Sequence, residues 1–312
     1  MSKVAVVGAG AVGTAIAYAA QIRGACRQLA LFDLNADKVR AEVLDLNHGL
    51  QFTPMAQITG SDDLEVCAGA DVVVITAGAK QKPGQTRLDL AAANVAMCRD
   101  LVPELVRLAP DTLLLVVTNP VDVVTQAALA YSGLPSSRVF GSGTVLDSSR
   151  LRFLIAEHTG VAVQNVHAYI AGEHGDSEVP LWSTATIGGV PVQDWGSSGE
   201  RPLDADARAR IHQRVVTSAY EIIAGKGATS LAIGLAVSRI LEAVLKDEHR
   251  VLPVTSRLDG VHGLSDVCLS MPSVVGRSGV ESVLATPLSD EERDQLAVSA
   301  ETVRAAARQL GL

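Results

Sequence analysis

Four cysteines are all that this 312-residue chain contains, and none of Cys26, Cys67, Cys98 or Cys268 belongs to a CxxC pair or stands at metal-ligand spacing from a histidine. That absence excludes a zinc module and a disulfide framework, and it predicts reduced thiols in apolar or mixed surroundings. No uncharged apolar run reaches the roughly 18 residues that a membrane span needs, and no charged leader precedes an apolar stretch at the N-terminus. A soluble cytoplasmic protein is the expectation. Basic residues are in deficit: 26 Lys and Arg against 34 Asp and Glu give a formal net charge of -8. A surface for nucleic acid or another polyanion is therefore not expected, although a locally positive pocket remains compatible with the balance. Internal repeats, low-complexity tracts and long linkers are missing too, so the parts of the chain should pack closely.

What is present is a large apolar content, 48% against 19% charged, in a chain long enough for two domains or one large α/β unit. Up to about residue 143 the segments "KVAVVG", "QLALFDL", "ADVVVITAG", "TLLLVVTNP" and "RVFGSG" each end in turn residues before a helical stretch. Such runs carry little polar alternation, which is the mark of βαβ units around a parallel sheet buried on both faces. The pattern then changes. A helix is predicted over 145 to 159, followed by the run "NVHAYIAG" and short β-like pieces in "TATIGGVPV". Helices are predicted over 204 to 224, 228 to 246 and 289 to 310, and "VCLSMPSVVGRSGVESVL" reads as an antiparallel hairpin about Gly276 and Gly279. The expected architecture is α/β: an N-terminal dinucleotide-binding domain with a parallel sheet, residues 1–143, and a C-terminal mixed α+β domain, residues 144–312.

Four stretches carry chemistry. In "GAGAVG", Gly8, Gly10 and Gly13 follow a strand and open a helix, with Asp33 at the end of the second strand. Glycine permits the tight turn and lets backbone approach a pyrophosphate, the helix N-terminus favours its charge, and the acid accepts from ribose hydroxyls. With no Arg beside Asp33, NAD is favoured over its 2′-phosphate. The stretch "TAGAKQKPGQTRLDL" leaves a buried strand at the sheet edge where open α/β sheets bind ligands. Arg87 within it is either a surface charge or a group delivered to substrate when the loop closes. In "GTVLDSSRLRF", Asp147 and Arg150 share one helix face, which taken alone reads as an intrahelical surface ion pair. Arg152 points about 200° around the helix from Arg150 and so serves something else. In "YIAGEHGDSEVP", His174 sits between Gly172 and Gly175 at the end of an apolar strand, either as a structural histidine or facing a cleft. An acid such as Asp147 would orient the ring and favour its protonated form, giving a general acid near neutral pH. If 167 to 174 is extended, His167 lies about 20 Å away and cannot share that site.

Six motifs in order, "GAGAVG", "TAGAKQKPGQTR", "VTNPVD", "GSGTVLDSSRLR", "GEHGDSEVP" and "KGATSLAIG", make the whole chain resemble the lactate/malate dehydrogenase family. The resemblance implies hydride transfer between NAD and a small 2-hydroxy acid. His174 would then be the proton donor and acceptor, Asp147 its partner, Arg150 the clamp on the substrate carboxylate and Arg87 the group that polarises the carbonyl. It places Asn119 at substrate and cofactor, and adds Val12, Thr76, Ala77, Gly78 and Thr118 to the cofactor site of Gly8, Gly10, Gly13 and Asp33. Substrate choice rests on Gln81, where the family's malate enzymes carry Arg. A neutral amide there leaves a second substrate carboxylate unpaired in a closed site, and Thr229 agrees with pyruvate and L-lactate. Arg152 and His167 match residues that bind fructose 1,6-bisphosphate between subunits in the bacterial branch, which implies an allosterically activated homotetramer. The alternatives are a dehydrogenase of malate or of bulkier 2-hydroxy acids, and an NAD-binding structural protein without turnover.

Overall fold

The computed structural model describes residues 2–79, 86–196 and 201–312. Along the chain these form β1 (Lys3–Val7), α1 (Ala11–Arg23), β2 (Gln28–Phe32), α2 (Ala36–His48), β3 (Gln57–Ser61), β4 (Val72–Ile75), α3 (Arg87–Leu108), β5 (Leu113–Val116), α4 (Val121–Ser132), β6 (Val139–Gly141) and α5 (Val145–Thr159). There follow β7 (Val166–His167), β8 (Ile170–Ala171), β9 (Val179–Pro180), β10 (Thr186–Ile187), β11 (Val190–Pro191), α6 (Ala205–Lys226), α7 (Leu231–Leu245), β12 (Arg250–Leu258), β13 (Val267–Gly276), β14 (Gly279–Val283) and α8 (Asp290–Gln309).

Strands β1 to β6 are parallel and lie in the order β6-β5-β4-β1-β2-β3, so the direction of winding reverses between β1 and β4. Alternate residues of one strand feed two different cores. Val4 and Val6 pack with Ile16 and Ala17 of α1 and with Val237 and Ile240 of α7. Ala5 and Val7 pack with Val95 and Val102 of α3 and with Val124 and Ala127 of α4. Both side-chain directions of β4 and β5 are buried for their full length, which is why these strands read as unbroken apolar runs. Each fully buried Val or Leu contributes about 1.5 to 3 kcal/mol relative to leaving it exposed.

One strand of the parallel set escapes the sequence pattern. In β3, "QITGS", only Ile58 is buried, because β3 is the edge strand and pairs on one side alone. The second half of the chain also adds to the same sheet. Thr255 of β12 pairs with Gly141 of β6, and β12, β13 and β14 run antiparallel beyond it, with Gly276 opposite Gly279 in the predicted hairpin. A third apolar cluster, with Leu151, Ile155, Ile170, Ile187 and Val215, joins α5 and α6 to the short strands.

The stretch from 167 to 174 is not the single extended strand expected. β7 pairs with β10 in one small sheet, whereas β8 pairs with β9 in another, so no stiff rod joins His167 to His174. The strand ends where Gly172 turns to φ +89, and a Cβ there would lie 2.6 Å from Ser299 Oγ. The four cysteines are free and buried. Burial pushes the thiols of Cys67, Cys98 and Cys268 up to about 12, which leaves them protonated and inert. Among the described residues no helix is long and apolar enough to cross a membrane.

Candidate active site

The strand-order reversal puts the ends of β1 and β4 beside each other, and the glycine turn fills the space between them. Gly8 has φ +104, and a Cβ on it would stand 2.7 Å from the backbone nitrogen of Ala77. A Cβ on Gly13 would be 1.9 Å from the Gly8 carbonyl oxygen. Gly10 is different: nothing lies within 4 Å of its Cβ position. It caps α1 with no side-chain hydrogen bond, and the first turn holds no acid. Open space above unpaired helix N–H groups suits a pyrophosphate, so the residues present fit a dinucleotide. Val12 sits half-buried beneath this turn against the α1 core.

Asp33 locks that turn to the end of β2. Its Oδ2 accepts the Ala9 N–H at 2.8 Å and its Oδ1 accepts the Asn35 N–H at 3.0 Å, with Lys38 Nζ 3.8 Å away. The cation near Asp33 is therefore a lysine of α2. Thr76 donates to the Gly8 carbonyl at 2.8 Å, and Thr118 donates to that of Ala77 at 2.6 Å. Gly78 passes so close to Thr118 that a Cβ would meet its methyl at 2.5 Å. A residue that sequence reasoning missed ties these loops together. Buried Asn94 of α3 accepts the Ala79 N–H at 2.8 Å and donates to the Asn119 carbonyl at 2.7 Å. Nothing in local spacing marks it, because its partners lie 15 and 25 residues away in the chain.

The second part of the site is built on the first turn of α5. Asp147 is only 2% exposed and faces two cations. Its Oδ1 accepts from Arg150 Nη1 at 2.7 Å, and its Oδ2 lies 2.5 Å from His174 Nδ1. The Asp147–Arg150 pair is intrahelical, as its spacing implies, but it is buried rather than on the surface. Among the described residues Arg150 is engaged through Nη1 alone, which leaves the rest of its fork for a ligand. Burial by itself would favour neutral imidazole. The charge and hydrogen bond of Asp147 outweigh it and raise His174 to about 9. Asp147 in turn is held below its ordinary value: burial would raise it, and His174 and Arg150 prevail.

Two further carboxyls surround this pair, and neither was evident from the sequence. Asp122 of α4 is buried, accepts the His174 N–H at 2.8 Å and the Thr255 hydroxyl at 2.6 Å. It therefore fixes the backbone that carries the ring, and burial lifts its own pKa to about 6 against those two hydrogen bonds. Buried Glu178 is pushed up to about 9, by desolvation first and by the negative charge of Asp147 next. Both causes disfavour a second charge beside Asp147.

Arg87, the first residue of α3, lies 3.0 Å from Asp176 and donates to the hydroxyl of Tyr220 on α6, which itself donates to Asp176 at 2.8 Å. The arginine thus rests on Asp176, which follows His174 by two residues, and on Tyr220, which no motif contains. Thr229 lies in the connection between α6 and α7. It lines a cavity of about 390 Å³ between the end of α6 and the start of α7, and its hydroxyl has no hydrogen-bond partner among the described residues. Gln81 lies outside the described residues. On the far side of α5, Arg152 donates to the Ala168 carbonyl at 2.8 Å and stacks over the Tyr169 ring at 4.8 Å, beside exposed His167. Arg150 and Arg152 thus have different partners.

A strand reversal carrying a phosphate-sized turn, joined to a buried imidazole–carboxylate pair, defines a dinucleotide-dependent oxidoreductase. The chain belongs to the lactate/malate dehydrogenase family: residues 2–141 match its NAD binding domain and residues 144–310 its alpha/beta C-terminal domain. NAD is accordingly the cofactor. The chain is 58% identical to the L-lactate dehydrogenase of Bifidobacterium animalis subsp. lactis over 99% of its own length and 97% of the relative's. It is 46% identical to that of Acetivibrio thermocellus over 97% and 96% of the two chains. Among solved structures, a lactate dehydrogenase from a deep-sea metagenome of the Medee basin superposes with a TM-score of 0.96 at 39% identity, covering 100% and 99% of the two chains. The minor L-lactate dehydrogenase of Enterococcus mundtii in ligand-bound form gives 0.95 at 39% identity, covering 99% and 98%.

Proposed function

We propose that the protein is an L-lactate dehydrogenase that reduces pyruvate with NADH and catalyses the reverse reaction. The observation that carries this reading is the buried Asp147, shared between His174 and Arg150, in a chain whose relatives bear that name. The turn from Gly8 to Gly13, with Asp33, Thr76, Ala77, Gly78 and Thr118 around it, would hold NADH, which when bound would supply the hydride. His174, tied through Nδ1, keeps its other nitrogen for giving a proton to the keto oxygen and taking it back from the alcohol. Arg150 presents its free guanidinium edge to the substrate carboxylate. Arg87 polarises the carbonyl, and Asn119 stands between substrate and cofactor loops. Gln81 and Thr229 are assigned to substrate choice, and residues 1–143 and 144–312 to the NAD and substrate domains.

Steady-state kinetics followed by NADH absorbance test this assignment. A higher kcat/KM for pyruvate than for oxaloacetate is expected, with Gln81→Arg moving preference toward oxaloacetate. A parent enzyme that favours oxaloacetate, or an unmoved preference in the variant, would overturn the substrate reading. Absence of turnover with any 2-oxo acid would leave an NAD-binding protein instead.

Arg152 and His167 form, in this proposal, half of a fructose 1,6-bisphosphate site between subunits of a homotetramer. Support comes from the paired helices α1 and α7, which expose Tyr18, Ile22, Leu231 and Leu235, an apolar face suited to a second copy. Sedimentation velocity and pyruvate KM with and without the bisphosphate decide this, and identical values in both conditions remove the effector. Free buried thiols fit the reducing cytoplasm.

A further inference from the structure

The connection from α7 into β12 places two residues, Asp247 at φ 56 and His249 at φ 48, in the left-handed region within three positions. Non-glycine residues seldom adopt it, although Asp does so most easily. The result is that both side chains meet Glu281 of β14. His249 Nδ1 lies 2.7 Å from Glu281 Oε2, and its Nε2 lies 3.7 Å from Asp247 Oδ1. One ligand atom from each of the three residues lies within 4.8 Å of the others.

The surroundings keep this cluster open. Gly276, on the hairpin turn below, has a Cβ position 2.5 Å from Glu281 Oε1 and 3.1 Å from Asp247 Oδ1. Any side chain there would displace both carboxylates. Asp247 Oδ1 is aimed by the Arg277 N–H at 2.8 Å, the kind of outer contact that orients a metal ligand. The facing cation is the exposed side chain of Arg277, whose Nε is 3.9 Å from Asp247 Oδ2. The neighbouring Glu248 is already paired with Arg250 and does not join the cluster.

We propose that Asp247, His249 and Glu281 form a binding site for a divalent transition-metal ion of the zinc type. A set of one imidazole and two carboxylates suits Zn²⁺ or Co²⁺, whereas Mg²⁺ and Ca²⁺ prefer oxygen ligands throughout. Three protein ligands leave a fourth position for water. The ion binds the lone pair of one ring nitrogen of His249, and any proton on that nitrogen passes to solvent. Two carboxylates neutralise the ion, and the Arg277 side chain turns outward. Bound metal clamps the α7–β12 connection to β14, away from the His174 cluster, so it acts on stability and not on the reaction.

Calorimetric titration of the chelator-washed protein with Zn²⁺ tests the site, with Co²⁺ absorption in the visible as a second readout. One ion per chain is expected, together with a rise in thermal midpoint that grows with metal concentration. His249→Asn, which keeps a residue tolerant of the left-handed backbone, and Glu281→Gln should each weaken binding at least about tenfold. Their metal-free midpoints should stay near the parent's, and pyruvate kinetics should not change. Equal Zn²⁺ binding in parent and both variants, or no binding in the parent, overturns the proposal.

Discussion

Asp147 Oδ2 stands 2.5 Å from His174 Nδ1 while Oδ1 of the same carboxylate stands 2.7 Å from Arg150 Nη1. One buried charge therefore organises both the imidazole and the guanidinium to which the proposed function gives proton donation and the grip on the substrate carboxylate. His174 titrates at about 9 in the folded protein against an ordinary 6.5. The stability it gains from Asp147 is fully present below pH 6.5 and is lost as pH rises toward 9.

The same shift governs turnover. Pyruvate reduction needs protonated His174, so its kcat/KM should hold through neutral pH and fall above about 9, whereas lactate oxidation should gain over that range. In Asp147→Asn the limb should move down to about 6.5 or below, which at pH 7.5 cuts the protonated fraction about tenfold. Rate profiles between about pH 5.5 and 10 check this. A limb that stays near 9 in the variant would mean that Asp147 does not set the ring's charge.

Arg87 rests on Asp176 and Tyr220, and all three side chains are exposed enough for water to compete. An exposed pair of this kind contributes less than about 1 kcal/mol. Asp176→Asn or Tyr220→Phe should therefore lower pyruvate kcat/KM by no more than about fivefold. Arg87→Ala removes the charge that would act on the carbonyl and should cost about 100-fold or more, with NADH affinity unchanged. Equal losses in the three variants would make the trio a structural unit only.

The contrast between local and distant partners explains what the sequence made legible. Strands β1, β2, β4 and β5 were readable because burial on both faces writes itself as consecutive apolar residues, whereas the half-exposed edge strand β3 was not. The turn at Gly8 and Gly13 and the spacing of Asp147 and Arg150 are local patterns. Whether that pair is buried is not local, and the spacing taken alone reads as a surface pair. Asp122 meets His174 across 52 positions and Thr255 across 133, and Arg87 meets Tyr220 across 133. Such contacts exist only once the sheet has brought α3, α4, α6 and β12 together.

Glu242 of α7 holds three cations: Arg23 at 2.6 Å, which joins α7 to α1, and Arg239 at 2.8 Å and Lys246 at 2.9 Å from its own helix and cap. Desolvation would raise its pKa, but hydrogen bonds from Lys246, Arg239 and Arg23 hold it at about 2. Its contribution is therefore present above pH 4.5 and lost as pH falls toward 2. Because the cations are partly exposed, Glu242→Gln should cost about 1 to 2 kcal/mol at neutral pH. Urea midpoints at neutral pH and near pH 3 measure this. A penalty that does not shrink on acidification would place the effect in packing rather than charge.

Two glycines of the same turn separate folding from cofactor binding. Gly10 has ordinary extended backbone, φ -77 and ψ -177, and empty space at its Cβ position. Gly10→Ala should fold with stability within about 0.5 kcal/mol of the parent. It should nevertheless bind NADH at least about tenfold more weakly, a loss of about 1.4 kcal/mol, because the methyl enters the space that the pyrophosphate would use. Gly13 has no such room: its Cβ would lie 1.9 Å from the Gly8 oxygen and 2.8 Å from Thr76 Oγ1. Gly13→Ala should therefore lose about 1 to 3 kcal/mol of stability even without cofactor. Thermal unfolding of the NADH-free variants and fluorescence titration with NADH distinguish the two effects. Parent-like NADH affinity in Gly10→Ala would move the pyrophosphate away from this turn.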